Sequence, residues 1–112
     1  REWWGKQYQL FTDIGIGGIW NDMNEPSVWY QPENTMGLAA RHDHEGQPTD
    51  HAEGHNIYGM QMTRSTFEGL TALKPNERPF VLTRATFAGG QRYAWVWTGD
   101  NRAEWASLQQ SI

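Results

Sequence analysis

Apolar positions recur along the chain in distinct patterns, and each pattern predicts an element. From Glu2 to Ile14, residues Trp3, Trp4, Gln7, Leu10, Phe11 and Ile14 fall at near-helical spacing, which predicts an amphipathic helix stopped by Gly15. The short run Ile16 to Trp20, interrupted by Gly17 and Gly18, ends abruptly in Asn21-Asp22-Met23-Asn24-Glu25-Pro26. Such a run fits a strand buried on both faces, as parallel strands are, and Pro26 cannot extend the ladder. Residues Gln31 to His55 show no period and are rich in His, Gly and Pro, so they read as one long loop. Asn56 reads as the N-cap of a helix through Leu73, with Ile57, Met60, Met62, Thr63, Phe67, Leu70 and Leu73 on a mostly apolar face. A turn at Lys74-Pro75-Asn76-Glu77 leads to a second strand, Pro79 to Thr83. After Gly89-Gly90 comes a third run, Tyr93 to Trp97, and Arg102 to Ile112 opens a further helix.

The order helix, strand, long loop, helix, strand, short link, strand, helix predicts an α/β fold with a parallel sheet. No internal repeat or low-complexity tract interrupts it. A length of 112 residues suggests one small domain. The chain nevertheless starts at Arg1 inside a helical pattern and closes on a helix barely begun, so it is expected to be a piece of a longer enzyme. Composition adds little. A net charge of −4 gives no reason to expect nucleic acid or an anionic membrane as partner. No apolar run approaches the roughly eighteen residues of a membrane span. Without Cys, disulfides and thiolate metal sites are excluded. Seven Trp suit either a core or a surface that stacks on sugar rings.

Each predicted strand is followed by a polar side chain at or just beyond its end: Asp22, Arg84 and Asp100. In a β/α barrel, catalytic groups come from the C-terminal ends of several strands and converge on one mouth. Two carboxylates and a guanidinium presented there suit glycoside cleavage, in which one carboxylate attacks and the other protonates the leaving oxygen. The plainer alternative is that Asp or Asn after a strand closes a turn or caps the next helix. Three such residues in succession, flanked by Trp20 and Trp97, favour chemistry. Spacing alone leaves both Asp22 and Glu25 open as nucleophile. Asp22 is preferred because it adjoins the rigid strand, and Glu25, in the turn before Pro26, is assigned to orienting its neighbours. His42 and His44, and His51 and His55 four apart, invite a metal reading. The segment is not the His-Glu-x-x-His zinc helix, because Glu53 stands one place late and Gly54 weakens a helix, so no metal is expected. The glycines of Gly15 to Gly18 and Gly89-Gly90 lack the lysine and spacing of a phosphate loop.

Gly18-Ile19-Trp20-Asn21-Asp22-Met23-Asn24-Glu25-Pro26 resembles the nucleophile signature of glycoside hydrolase family 31. His55-Asn56-Ile57-Tyr58-Gly59-Met60, the stretch Arg78 to Tyr93, and Trp97-Thr98-Gly99-Asp100-Asn101 resemble the same family in the same order, over nearly the whole chain. The resemblance implies part of a (β/α)8 TIM barrel, with this chain supplying about three parallel strands, the fourth through sixth, and their helices. It implies Asp22 as nucleophile, Asp100 as general acid/base, and Arg84 as a contact to the sugar in the −1 subsite, walled by Trp20, Met23 and Trp97. Asn21 carries no implied role. An Asp from an earlier strand and a His from a later one, which the family also uses, lie outside these residues, as do its flanking β domains. The motifs are closer to the α-glucosidase branch than to the α-xylosidase or sulfoquinovose-cleaving branches. The expected activity is a retaining, exo-acting α-glucosidase acting on an oligosaccharide or α-glucoside without a cofactor. The alternatives are an α-transglucosidase, a lyase or an α-xylosidase of the same family, a piece inactive in isolation, or a metallohydrolase built on the His-rich loop.

Overall fold

A computed structural model describes residues 1–112 and places a three-stranded parallel sheet at their centre. In chain order the elements are α1 (Glu2–Lys6), α2 (Gln9–Asp13), β1 (Ile19–Asn21), β2 (Arg41–His44), β3 (Gln47–Asp50), α3 (His51–Leu73), β4 (Val81–Thr83), a 3-10 turn at Gly90–Arg92, β5 (Trp95–Val96) and α4 (Trp105–Ser111). Strand β4 lies between β1 and β5 and is parallel to both. Ile19, Trp20 and Asn21 pair with Val81, Leu82 and Thr83, while Leu82 and Thr83 pair with Trp95 and Val96. The link from β1 to β4 carries α3, and that from β4 to β5 manages with the 3-10 turn alone.

Strand parity divides the sheet into two unlike faces. Asn21, Val81 and Thr83 are buried beneath the helices. Trp20 and Trp95, registered on either side of Leu82, stand exposed on the opposite face. The buried hydrophobic core is small, consisting of Tyr8, Leu70 and Val81 with Trp4, Ile19, Phe67, Leu73 and Ala94 packed against it. No helix is long and apolar enough to cross a membrane.

The predicted order of elements stands, but several boundaries move. The first helix is two short helices, because hydrogen bonds tighten to an i→i+3 pattern where Gln7 N–H donates to Trp4 and Tyr8 N–H to Gly5. Its packed side is Trp4, Gly5, Tyr8 and Thr12, whereas Trp3, Leu10 and Ile14 remain exposed. The three strands are shorter than the apolar runs, and β1 includes Asn21.

Helix α3 begins at His51 rather than after Asn56, because the Asp50 side chain accepts a hydrogen bond from Glu53 N–H (3.1 Å) and caps the helix there. It buries chiefly small and polar side chains, among them Gly59, Thr63, Ser65 and Thr66, in place of the expected apolar stripe. Gly69 meets Gly5 of α1 backbone to backbone, which any side chain at either position would prevent.

The long predicted loop contains an antiparallel hairpin, β2 with β3, turned through Glu45 (φ 55°) and Gly46 (φ 88°). Positive φ at both central residues matches a two-residue hairpin turn with the twist of its strands, and Asp43 Oδ1 accepts from Gly46 N–H at 2.7 Å. Fully buried His51 ties this hairpin to the rest of the chain. Thr35 donates its hydroxyl proton to the Pro26 carbonyl (2.9 Å), so it accepts from His51 Nε2 (3.2 Å). Nδ1 of His51 then accepts from His42 Nε2 (3.0 Å), and His55 Nδ1 lies 2.9 Å from His51 Nε2. These nitrogens serve one another, and no set of three or more His, Asp or Glu side chains is arranged as metal ligands.

Candidate active site

The sheet's alternation fixes where the candidate side chains emerge. Trp20 lies on the helix-free face, so Asp22, two residues on, leaves β1 toward the same side. Arg84 follows Leu82 in the same way, one residue beyond β4. The intervening residues turn inward and anchor the strand ends. Asn24 is almost fully buried, and its amide exchanges hydrogen bonds with the Thr83 hydroxyl at 3.1 Å. Asn24 Nδ2 also reaches the Gly59 carbonyl of α3 at 3.4 Å. A Cβ on Gly59 would lie 2.5 Å from the Ala85 carbonyl oxygen and 2.9 Å from that of Asn24, so the helix backbone itself packs against the roots of the site.

A second buried network fixes β1. Asn21 Nδ2 donates to the Tyr8 hydroxyl (3.1 Å), which lies 3.1 Å from Thr66 Oγ1. Thr66 Oγ1 donates to Asn21 Oδ1 (2.7 Å), and Trp4 Nε1 donates to Thr66 Oγ1 (3.1 Å). With Tyr8 donating to Thr66, each hydroxyl uses its one proton and the ring closes. Asn21, which had no assigned role, is thus a structural anchor immediately before Asp22.

Arg84 draws the candidate residues together. Its Nε lies 3.3 Å from Asp22 Oδ1 and its Nη1 lies 3.4 Å from Asp100 Oδ2. The same guanidinium is held side-on by Glu25, through Nε to Oε1 at 2.8 Å and Nη2 to Oε2 at 3.3 Å. Glu25's hydrogen bond holds the Arg84 pKa above its ordinary value, partial burial opposes this, and the negative charges of Glu25, Asp22 and Asp100 reinforce it. Arg84 is therefore a permanent cation among three carboxylates. Asp22 differs from Glu25 in its commitments. Its Oδ1 accepts from Met23 N–H at 2.9 Å, while Oδ2 has no hydrogen-bond partner. Met23 adopts φ 55°, a left-handed conformation that costs a non-glycine residue about 1–3 kcal/mol.

Of the predicted residues, Asp22, Arg84 and Asp100 form one cluster, and Trp20 meets Trp97 edge-on with ring centroids 5.7 Å apart. Met23 is partly exposed beside Asp22. Asp100 is largely open to solvent, whereas Arg84 is mostly covered. Sequence reasoning passed over the anchors Asn24, Thr83 and Gly59. The one signal available was polar or minimal residues directly beside the strand ends, where apolar filler would be expected.

The sequence model of the glycosyl hydrolases family 31 TIM-barrel domain matches residues 1–112. Alpha-glucosidase 2 of Bacillus thermoamyloliquefaciens is 54% identical over 112 residues, which are 100% of this chain and 14% of that protein. The crystal structure of a family 31 alpha-glucosidase from Bacteroides thetaiotaomicron superposes with a TM-score of 0.70 at 38% identity, covering 96% of this chain and 17% of that one. A family 31 dextranase of Flavobacterium johnsoniae, solved in complex with glucose, gives a TM-score of 0.76 at 32% identity, covering 98% of this chain and 14% of that one.

Proposed function

The chain belongs to glycosyl hydrolase family 31, and from that premise we propose that it carries the nucleophile and the acid/base of a retaining, exo-acting α-glucosidase. The observation that carries the proposal is the convergence of Asp22, directly after β1, and Asp100, four residues beyond β5, on the single guanidinium of Arg84. Asp22, with Oδ2 unengaged, attacks the anomeric carbon of a terminal α-linked glucose. Asp100 protonates the departing oxygen, then takes a proton from the incoming water. Two inversions retain the α configuration. Arg84 offers directional donors to sugar hydroxyls, and Trp20, Met23 and Trp97 supply the apolar walls of the −1 subsite. The reaction needs no cofactor. Hydrolysis, rather than transfer of glucose to another sugar, is the activity expected, and product analysis from maltose separates the two.

The roles of Asp22 and Asp100 are tested by substitution in a full-length polypeptide that contains this segment. Asp100→Ala should lose about 10²–10⁴-fold in kcat/KM on ordinary glucosides, the usual worth of general acid–base catalysis. The loss should shrink on α-glucosyl fluoride, whose leaving group departs without protonation. Azide should then restore turnover and give α-glucosyl azide, because it displaces Asp22 from a β-linked glycosyl-enzyme. Asp22→Ala should form no covalent intermediate, and any azide product should be the β anomer, formed by one inversion. Exchange of the two anomers between the variants would exchange the two roles.

A further inference from the structure

We propose that Glu25 is a positioning residue that acts through Arg84, clamping its guanidinium so that one cation faces both Asp22 and Asp100. The inference rests on the glycosidase reading above and adds a residue to it. Both oxygens of Glu25 are engaged, Oε1 by Nε and Oε2 by Nη2 of Arg84. A two-point contact fixes the plane of a guanidinium as well as its location, which one contact cannot do. With that edge held, Nη1 is left facing Asp100 at 3.4 Å, and Nε lies within 3.3 Å of Asp22.

Nothing else in the chain supplies such a hold. Arg84 has no hydrogen bond to a backbone carbonyl, and its side-chain partners are these three carboxylates alone. Of the three, Asp100 is largely solvent-exposed and Asp22 meets Arg84 at one nitrogen only, so neither orients the fork as Glu25 does. Glu25 is itself anchored, since the buried Asn24 beside it is bonded to Thr83 on the strand from which Arg84 emerges. The clamp therefore spans the C-terminal ends of β1 and β4. The same commitment argues against Glu25 as the attacking group, because its lone pairs face Arg84.

The test is a double-mutant cycle in the full-length polypeptide, read on kcat/KM with α-glucosyl fluoride so that weak variants stay measurable. Glu25→Gln keeps the side-chain shape but turns an NH2 group against Nη2. A misplacement of about 1 Å at a site of this kind costs roughly 10²-fold, so a loss near that size is expected with the melting temperature unchanged. In an Arg84→Ala background, the same Glu25→Gln change should have almost no further effect, because the group it positions is gone. If Arg84→Ala is too weak to assay, Arg84→Lys serves instead. An ammonium cannot take the two-point hold, so the Glu25 effect should fall well below that in the parent. Glu25→Asp, which keeps the carboxylate, should recover part of the activity. Losses that multiply in the cycle, or a Glu25→Gln enzyme as active as its parent, would overturn the inference. An inactive parent would instead count against the glycosidase reading itself.

Discussion

The two faces of the small sheet are built on opposite terms. On the helix side, Asn21, Val81 and Thr83 are buried, and the polar members are matched by Tyr8, Thr66 and Asn24. On the other side, Trp20 and Trp95 are bare, and Asp22, Arg84, Glu25 and Asp100 crowd their charges at the strand ends. One step along the strand separates the two. Asn21 has both its polar side-chain atoms bonded and Asp22 keeps an oxygen free, although both are short polar side chains at the end of β1. A saturated polar group stabilises because leaving it unpaired is costly. An unsaturated one beside a fixed cation is left open to a further partner. Rigidity on the first face is what lets the second hold its charges in place.

The largest effect on stability should come from opening the closed ring. Thr66→Val keeps the side-chain volume but leaves Asn21 Oδ1, the Tyr8 hydroxyl and Trp4 Nε1 without their shared partner. Each unsatisfied buried group costs about 1–3 kcal/mol, so with three groups affected a loss of roughly 3 kcal/mol or more in the full-length polypeptide is expected by denaturant titration. Below the melting transition, kcat/KM should stay within a few-fold of the parent. A variant that keeps its stability and loses its activity would erase the distinction between the faces.

Gly59→Ala lies at the seam and should affect both sides. The added methyl meets the backbone carbonyls of Ala85 and Asn24, neither of which can swing aside as a side-chain tip could. Overpacking of this kind costs about 1–3 kcal/mol, and the displaced segments carry Arg84 and Glu25. Lower stability together with lower kcat/KM is expected. A change in stability alone would show that the strand ends absorb the shift without passing it to the mouth.

The contrast also explains what could be read from residues alone. The order of elements and the strand-end positions of Asp22, Arg84 and Asp100 follow from short apolar runs that stop sharply in polar residues. The hairpin does not, since Arg41-His42-Asp43-His44 and Gln47-Pro48-Thr49-Asp50 show no alternation of apolar and polar. Its signals were the Glu45-Gly46 turn and the cap Asp50 with Glu53 three residues on, both masked by a polar, His-rich context. The Thr66 ring and the Glu25 clamp join residues 45 and 59 positions apart, which no local pattern encodes. The groups at the strand ends sit in local motifs, whereas the anchors beneath them meet only in the fold.

The smallest effect expected is a pH dependence, and it tests whether the hairpin belongs with the rigid face. Burial, followed by the neighbouring His55 and His42, holds the His51 pKa below its ordinary value, while Asp50 pulls the other way. The groups around it are His42 from β2, His55 and the Tyr58 ring from α3, the Asp50 cap and the Thr35 hydroxyl. A histidine kept neutral in the folded state binds fewer protons than in the unfolded chain. Its stabilisation is therefore complete above the ordinary value of about 6.5 and is lost as pH falls from there toward the lowered folded value. Each unit of depression is worth about 1.4 kcal/mol. Protonation also turns Nδ1 from acceptor to donor against His42 Nε2, which costs that contact to β2, while Nε2–H keeps donating to Thr35. The melting temperature of the full-length polypeptide should fall between pH 7 and pH 5 by more than that of His51→Gln, which cannot take up the proton. Histidines other than His42 and His55, which bond to His51 directly, contribute equally to both and cancel in the difference. If the two curves run parallel, His51 does not couple folding to pH, and the hairpin is held by its turn and its helix cap alone.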